Sequence, residues 1–156
     1  MALAMVWVVF RDPALDHRMV IVGAVLPDLI DGPFGGARVM HTLGASAALL
    51  SLVMLFTRGR RHARRSWLAL PIGTFAHLIF DGAWTVTATF WWPLFGRGLT
   101  NQLPALSRGV ELLVLQELVG AVVLIWFWWR FGLSRTEVRD RFRRTGRLPR
   151  EVAQGS

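Results

Sequence analysis

Cysteine is absent from the 156 residues, so neither disulfide bridges nor thiolate metal sites are available. Lysine is absent as well. All 18 basic side chains are arginine, which reads as genome composition rather than chemistry. The opening MALAMVWVVF lacks the positive start and small-residue cleavage site of a secretory signal and is expected to stay on the mature chain. The stretch GPFGGAR (32–38) has neither the lysine nor the following serine or threonine of a phosphate loop; it reads as a flexible connection, which speaks against a nucleotide cradle there. No internal repeat or low-complexity linker divides the chain.

Charge is scarce over long stretches. Val39 to Thr57 is apolar almost throughout, Val110 to Trp129 is broken only by Glu111, Gln116 and Glu117, and Trp67 to Pro93 carries only His77 and Asp81 as ionisable groups. Each is near or above the roughly 20 residues that cross a bilayer core. The fold expected from this pattern is an all-α, polytopic membrane helical bundle. It would have three full transmembrane helices plus one or two short helices, re-entrant or interfacial, formed by residues 1–10 and by Met19 to Leu26, where Pro27 ends the run. Residues 1–133 would form the membrane-embedded domain and 134–156 a basic cytoplasmic tail. Trp84, Trp91, Trp92, Trp126, Trp128 and Trp129 fall near the expected span ends, as an interfacial belt does, and Pro71 and Gly73 mark a kink or a close helix contact.

The net charge of +8 is unevenly placed. Arginines gather in RGRRHARR (58–65) and from Arg130 to Arg150, just beyond apolar segments, which is the positive-inside pattern rather than a nucleic-acid surface. The loop at 58–65 and the C-terminus would therefore be cytoplasmic in a multi-pass protein of the inner membrane. The tail segment RTEVRDRFRR would either lie on anionic lipid headgroups as an amphipathic helix or stay unstructured, and it could recruit a protein partner.

The stretch FAHLIFDGAW (75–84) sets His77 and Asp81 four residues apart, on one face of a helix. Asp28 and Asp31 in LPDLID, His41 in VMHTLG and Glu117 in LQELVG are further ionisable groups in or beside apolar segments. Such groups usually face a protein interior or a wet cavity, and the expected topology gathers these toward one cavity on the outer side. Carboxylate and imidazole together are a ligand set for zinc, manganese or iron. A lone H-x-x-x-D is also a common polar pair that holds helices together.

In order, GAVLPDLID, RVMHT, HLIFDGAW and WWPLFG resemble the YdjM-like family of inner-membrane metal-dependent hydrolases, over about residues 17 to 96. That family looks related to zinc-dependent phospholipase C and P1-type nucleases. The resemblance implies a divalent metal, zinc foremost, held by Asp28, His41, His77 and Asp81, and hydrolysis of a phosphoester such as a phospholipid. Asp31 or Glu117 would complete the shell or act as general base, and Arg38 would contact a substrate phosphate. Departures are visible: Asp31 is displaced by one position from the family's P-D-x-D, the first histidine of H-R is missing before RVMHT, and His17 is the only candidate for an upstream histidine. Two other functions fit the same residues, a small membrane subunit whose polar cluster packs helices and a proton or ion relay.

Overall fold

The structure is a computed structural model that describes residues 1–10, 15–95, 98–99 and 109–148. Among the described residues the fold is all-helical, with no strand. The helices are α1 (Ala2–Phe10), α2 (His17–Asp31), α3 (Leu43–Phe56), α4 (Arg61–Trp67), α5 (Ala69–Phe80), α6 (Thr87–Phe90), α7 (Val110–Arg130) and α8 (Thr136–Thr145). Short 3-10 turns lie at Gly32–Phe34, Val39–His41 and Ala83–Thr85.

The expectation of three membrane-spanning helices is corrected. Among the described residues only α7 is long and apolar enough to cross a bilayer, with 21 residues and a length of about 32 Å at ~1.5 Å per residue. The run from Val39 does not become a continuous helix. Its first residues form a 3-10 turn, and α3 begins only at Leu43, after the Thr42 side chain accepts the Ala45 amide at 3.0 Å as an N-cap. The run from Trp67 is cut twice. Leu68 separates α4 from α5, and Gly82, in the left-handed region at φ 68°, ends α5 after 12 residues. Hydropathy registers none of these backbone breaks.

The expected stop at Pro27 is corrected as well, because α2 continues through it to Asp31. A proline inside a helix removes one backbone donor and orphans the carbonyl four residues earlier, here that of Gly23. The buried Thr74 hydroxyl of α5 donates to that carbonyl at 3.1 Å, so the cost of the proline is met by the neighbouring helix. Two glycines make the approach close enough. A Cβ on Gly23 would overlap the Leu70 carbonyl oxygen, and one on Gly73 would overlap that of Val20. Val20 packs with Ala69 toward the starts of the two helices and Asp28 lies against His77 toward their ends, so α2 and α5 run parallel, in near backbone contact at the glycines.

Smaller cores flank this pair. Val6 of α1 packs with Leu15, Val20 and Ala69; Leu78 with Ala83 and Phe90; and Phe127 and Phe131 at the end of α7 with Leu148, Trp7 and Phe142. Residues 134–148 do not hang free. The Gly146 carbonyl accepts the His17 amide at 2.9 Å, and the Arg18 guanidinium donates to the carbonyls of Arg143 at 2.6 Å and Arg144 at 3.2 Å. The C-terminal carbonyls of α8 are thus satisfied by a cation, while Asp16 caps α2 and pairs with Arg18 at 2.8 Å. Residues 149–156 of the expected tail lie outside the described residues.

If the glycine crossing sets the spacing of α2 and α5, Gly73→Val lowers stability by about 1–3 kcal/mol through overpacking. Gly120→Ala, on α7 with nothing within 4 Å of the added carbon, leaves stability unchanged or raises it. Thermal unfolding of both variants in detergent, followed by helical circular dichroism, checks the contrast.

Candidate metal centre

Asp28 stands in the last turn of α2 and His77 in the last turn of α5, so the parallel crossing brings them to the same end of the helix pair. The chain leaving α2 turns back through Gly32–Phe34 and returns at Val39–His41, which lays His41 across that end. Asp28 Oδ1 lies 3.4 Å from His41 Nε2 and 3.5 Å from His77 Nε2. The two imidazoles meet edge to face with ring centroids 5.4 Å apart. All three ligand atoms fall within 4.8 Å of one another, a grouping able to hold a metal ion. Asp81, the C-cap of α5, sits at the margin with Oδ2 3.9 Å from His41 Nε2.

Asp31 has a different place. Only 3 % exposed, it lies behind His41, where Oδ2 accepts from His41 Nδ1 at 2.8 Å, the Arg38 amide at 2.9 Å and the Met40 amide at 3.0 Å. These bonds close the loop 32–40 onto the end of α2 and fix the ring. With Nδ1–H given to Asp31, the lone pair of Nε2 faces Asp28. Behind His77 lies the backbone of Ala24, which favours the protonated ring, while its Nε2 has no hydrogen-bond partner. A carboxylate or carbonyl behind the imidazole is the usual support of a metal-binding histidine.

Both Nε2 atoms are buried and without a hydrogen-bond partner. The 3.4 Å between His41 Nε2 and Asp28 is an ion-pair distance that lacks hydrogen-bond alignment. Buried orphan nitrogens are costly and uncommon, and a cation between them and Asp28 would satisfy both. A tetrahedral ion with bonds of ~2.0–2.1 Å holds neighbouring ligand atoms roughly 3.3–3.4 Å apart, close to the two distances from Asp28. The donor types are those of a divalent-ion site, and the two separations from Asp28 match one. The Asp28 side chain is 62 % exposed, so the centre is open to solvent on one side.

The electrostatics divide the two rings. Burial pushes His41 down, but Asp28 and Asp31 outweigh it and the net shift is upward. Burial also lowers His77, and there it prevails over the attraction of Asp28 and Asp81. Asp28 is held below the usual carboxylate range, first by His41 and further by the charge of His77.

The other expected residues are elsewhere. Glu117 is exposed on α7, outside the ligand grouping. The Arg38 backbone serves Asp31, and its guanidinium lies 6.0 Å from the Phe34 ring centroid. His17 is at the opposite end of α2, its Nδ1 3.2 Å from the Gly146 carbonyl and its pKa lowered chiefly by burial. Sequence reasoning missed Gln116, whose amide donates to the Phe80 carbonyl at 2.8 Å and ties α7 to the residue before Asp81; an isolated glutamine in an apolar run was the available signal. No family model, curated protein or solved structure matches the chain.

The raised pKa of His41 gives a sign to test in metal-free protein. A histidine raised in the fold adds stability that is complete below its unfolded value of ~6.5 and is lost as pH rises through the folded pKa. Asp31→Asn is therefore expected to destabilise most below pH ~6.5. Above the folded pKa a smaller residue remains from the Arg38 and Met40 amides. Unfolding midpoints of both proteins in chelator across pH 5 to 9 measure it, and a gap that widens with pH contradicts the assignment.

Proposed function

We propose that the chain is a membrane-associated, divalent-metal-dependent hydrolase of phosphoesters, with zinc as the first candidate ion. The observation that carries this reading is the pair of buried, unpartnered Nε2 atoms on His41 and His77 facing one exposed carboxylate, Asp28. Structural packing alone gives no reason to bury two imidazole nitrogens without partners. The motif resemblance to the YdjM-like hydrolases supports the same residues independently of distance.

In this reading Asp28, His41 and His77 hold the ion and Asp81 completes the shell. Bound there, a divalent ion supplies charge neutralisation at a phosphoryl oxygen and a water of lowered pKa. Asp31 orients His41 and keeps its proton on Nδ1. The exposed side of Asp28 is where a phosphoester enters; hydrolysis breaks its P–O bond and adds water to give a phosphate and an alcohol. Glu117 and Asp31 are not carried forward as the general base, the first because it is outside the cluster and the second because its Oδ2 already accepts three hydrogen bonds.

Association with a membrane is supported by the surface of α7. Only 6 % of its most apolar window is buried, whereas the core helix of a water-soluble fold hides most of its apolar side chains. Arg58 to Arg65 and α8 lie toward the starts of α2 and α5 and the metal centre toward their ends. The positive-inside rule accordingly sets the arginine end in the cytoplasm and the centre on the other side.

Elemental analysis of detergent-purified protein is expected to return about one equivalent of metal under the tetrahedral-site reading. Asp28→Ala, His41→Ala and His77→Ala should each lose it, and Asp31→Asn should weaken affinity ~10–100-fold. Glu117→Gln should bind as the native chain does. Turnover of nitrophenyl phosphomonoesters and diesters should vanish on chelation and return with zinc. Native protein that stays metal-free in added zinc overturns the metal centre; stoichiometric metal without turnover of any phosphoester leaves a metal site and removes the hydrolase.

A further inference from the structure

At the arginine end of the molecule, a second site is built from different residues. The end of α3, the following turn and α4 enclose a groove of about 380 Å³ whose walls include Leu52, Val53, Phe56, Trp67 and Leu70, with Arg60 the charged group among the lining residues. Its volume is that of a ligand pocket. Phe56 is 77 % exposed and Trp67 about half, so the apolar wall continues onto the surface.

The charge around this groove is uncompensated. Arg58, Arg60, Arg61, Arg64 and Arg65 fall within eight residues, and the sequence has no aspartate or glutamate from Gly32 to Phe80. Among the described residues no carboxylate lies within ion-pair distance of any of the five. Arg64 is packed beside the groove, with one terminal nitrogen donating to the Thr57 carbonyl at 3.3 Å while its Nε is buried without a hydrogen-bond partner. Arg60 lines the groove and Arg64 borders it through Thr57, so an anion between them would receive the charge-assisted contacts that arginine makes to phosphate.

We infer that this groove is a binding site for an anionic phospholipid, with an acyl chain along Leu52, Phe56 and Trp67 and the headgroup phosphate between Arg60 and Arg64. The occupant follows from pairing the two halves of the site. A nucleic acid or a free phosphate would use the arginines and leave the apolar wall bare; a zwitterionic lipid would cover the wall and leave the arginines without net charge to neutralise. The site stands apart from the metal centre and does not depend on it.

Quenching of Trp67 by lipids brominated on the acyl chain tests this, with the Trp67 signal taken as the difference between the native chain and Trp67→Phe. In mixed micelles, brominated phosphatidylglycerol is expected to quench that component at a mole fraction roughly tenfold below that of brominated phosphatidylcholine, two arginines contributing. The double variant R60Q/R64Q should bring the two lipids together, while R60K/R64K, which keeps the charge, should retain most of the preference. Unchanged helical circular dichroism shows that the variants are folded. Equal quenching by the two lipids in the native chain, or a preference that survives R60Q/R64Q, overturns the site. So does loss of the preference on adding a stoichiometric oligonucleotide, which would make the arginines a general polyanion surface.

Discussion

The near-contact of α2 and α5 is the constraint on which the rest of the molecule turns. Gly23 and Gly73 let two backbones approach, Pro27 frees the Gly23 carbonyl and Thr74 takes it. Each of these features would be unfavourable alone, since glycine and proline weaken a helix interior and a buried hydroxyl needs a partner. Together they fix the register of a parallel pair. Asp28 follows Gly23 by five residues and His77 follows Gly73 by four. The crossing therefore delivers a carboxylate and an imidazole to within 3.5 Å of each other at the same end. A wider separation of the helices would part them, whatever their spacing in sequence.

Around that point the chain gathers three carboxylates, Asp28, Asp31 and Asp81, against two imidazoles. Asp31 is the most enclosed of the carboxylates and is stabilised by three donors, so its charge is accounted for within the protein. Asp28 faces the two imidazoles instead. Without a metal, a proton on an imidazole is the cation that Asp28 faces. The opposite shifts of His41 and His77 say where it resides, on the ring that has Asp31 behind it. At the proposed centre a proton and a divalent ion would compete for one small volume, and affinity for metal would fall as pH falls. Asp28, which raises His41, is also the carboxylate that would draw a divalent ion in.

Much of the centre could be read from the residues themselves, while less of the fold could. Polar groups in apolar surroundings stand out because burying them is expensive. That is why Asp28, His41, His77 and Asp81 could be singled out together although their helices were misjudged. Asp31 was conspicuous for the same reason, but which face of the imidazole it occupies depends on how loop 32–40 returns, and that is set by three hydrogen bonds with no sequence pattern. Hydropathy overcounted the spans because it records side chains and is blind to caps and turns. Thr42 starts a helix late, and Leu68 and Gly82 end helices early, inside runs whose hydropathy stays high. Pro27 misled in the other direction, since the partner that rescues it lies 47 residues away at Thr74. The resemblance to a hydrolase family rests on motif order.

The direction of the α2–α5 pair gives the whole molecule a polarity. Arg18, the carbonyl end of α8, and α4 with its arginines cluster toward the starts of the two helices; Asp28, His77 and Asp81 cluster at their ends. From Arg18 to Asp28 is about 15 Å along α2 at ~1.5 Å per residue. A parallel pair is needed for this, because an antiparallel crossing would put the arginine loop beside the acidic cluster and neutralise it. α7 spans the same axis, tied near Phe80 by Gln116 at one end and packed under Trp7 by Phe131 at the other. Its exposed apolar surface therefore runs alongside the axis on which the charges are separated. Under the proposed membrane association the cationic end would meet anionic headgroups while the apolar flank of α7 faces lipid, so one orientation would serve both the separation of charge and the exposed apolar surface.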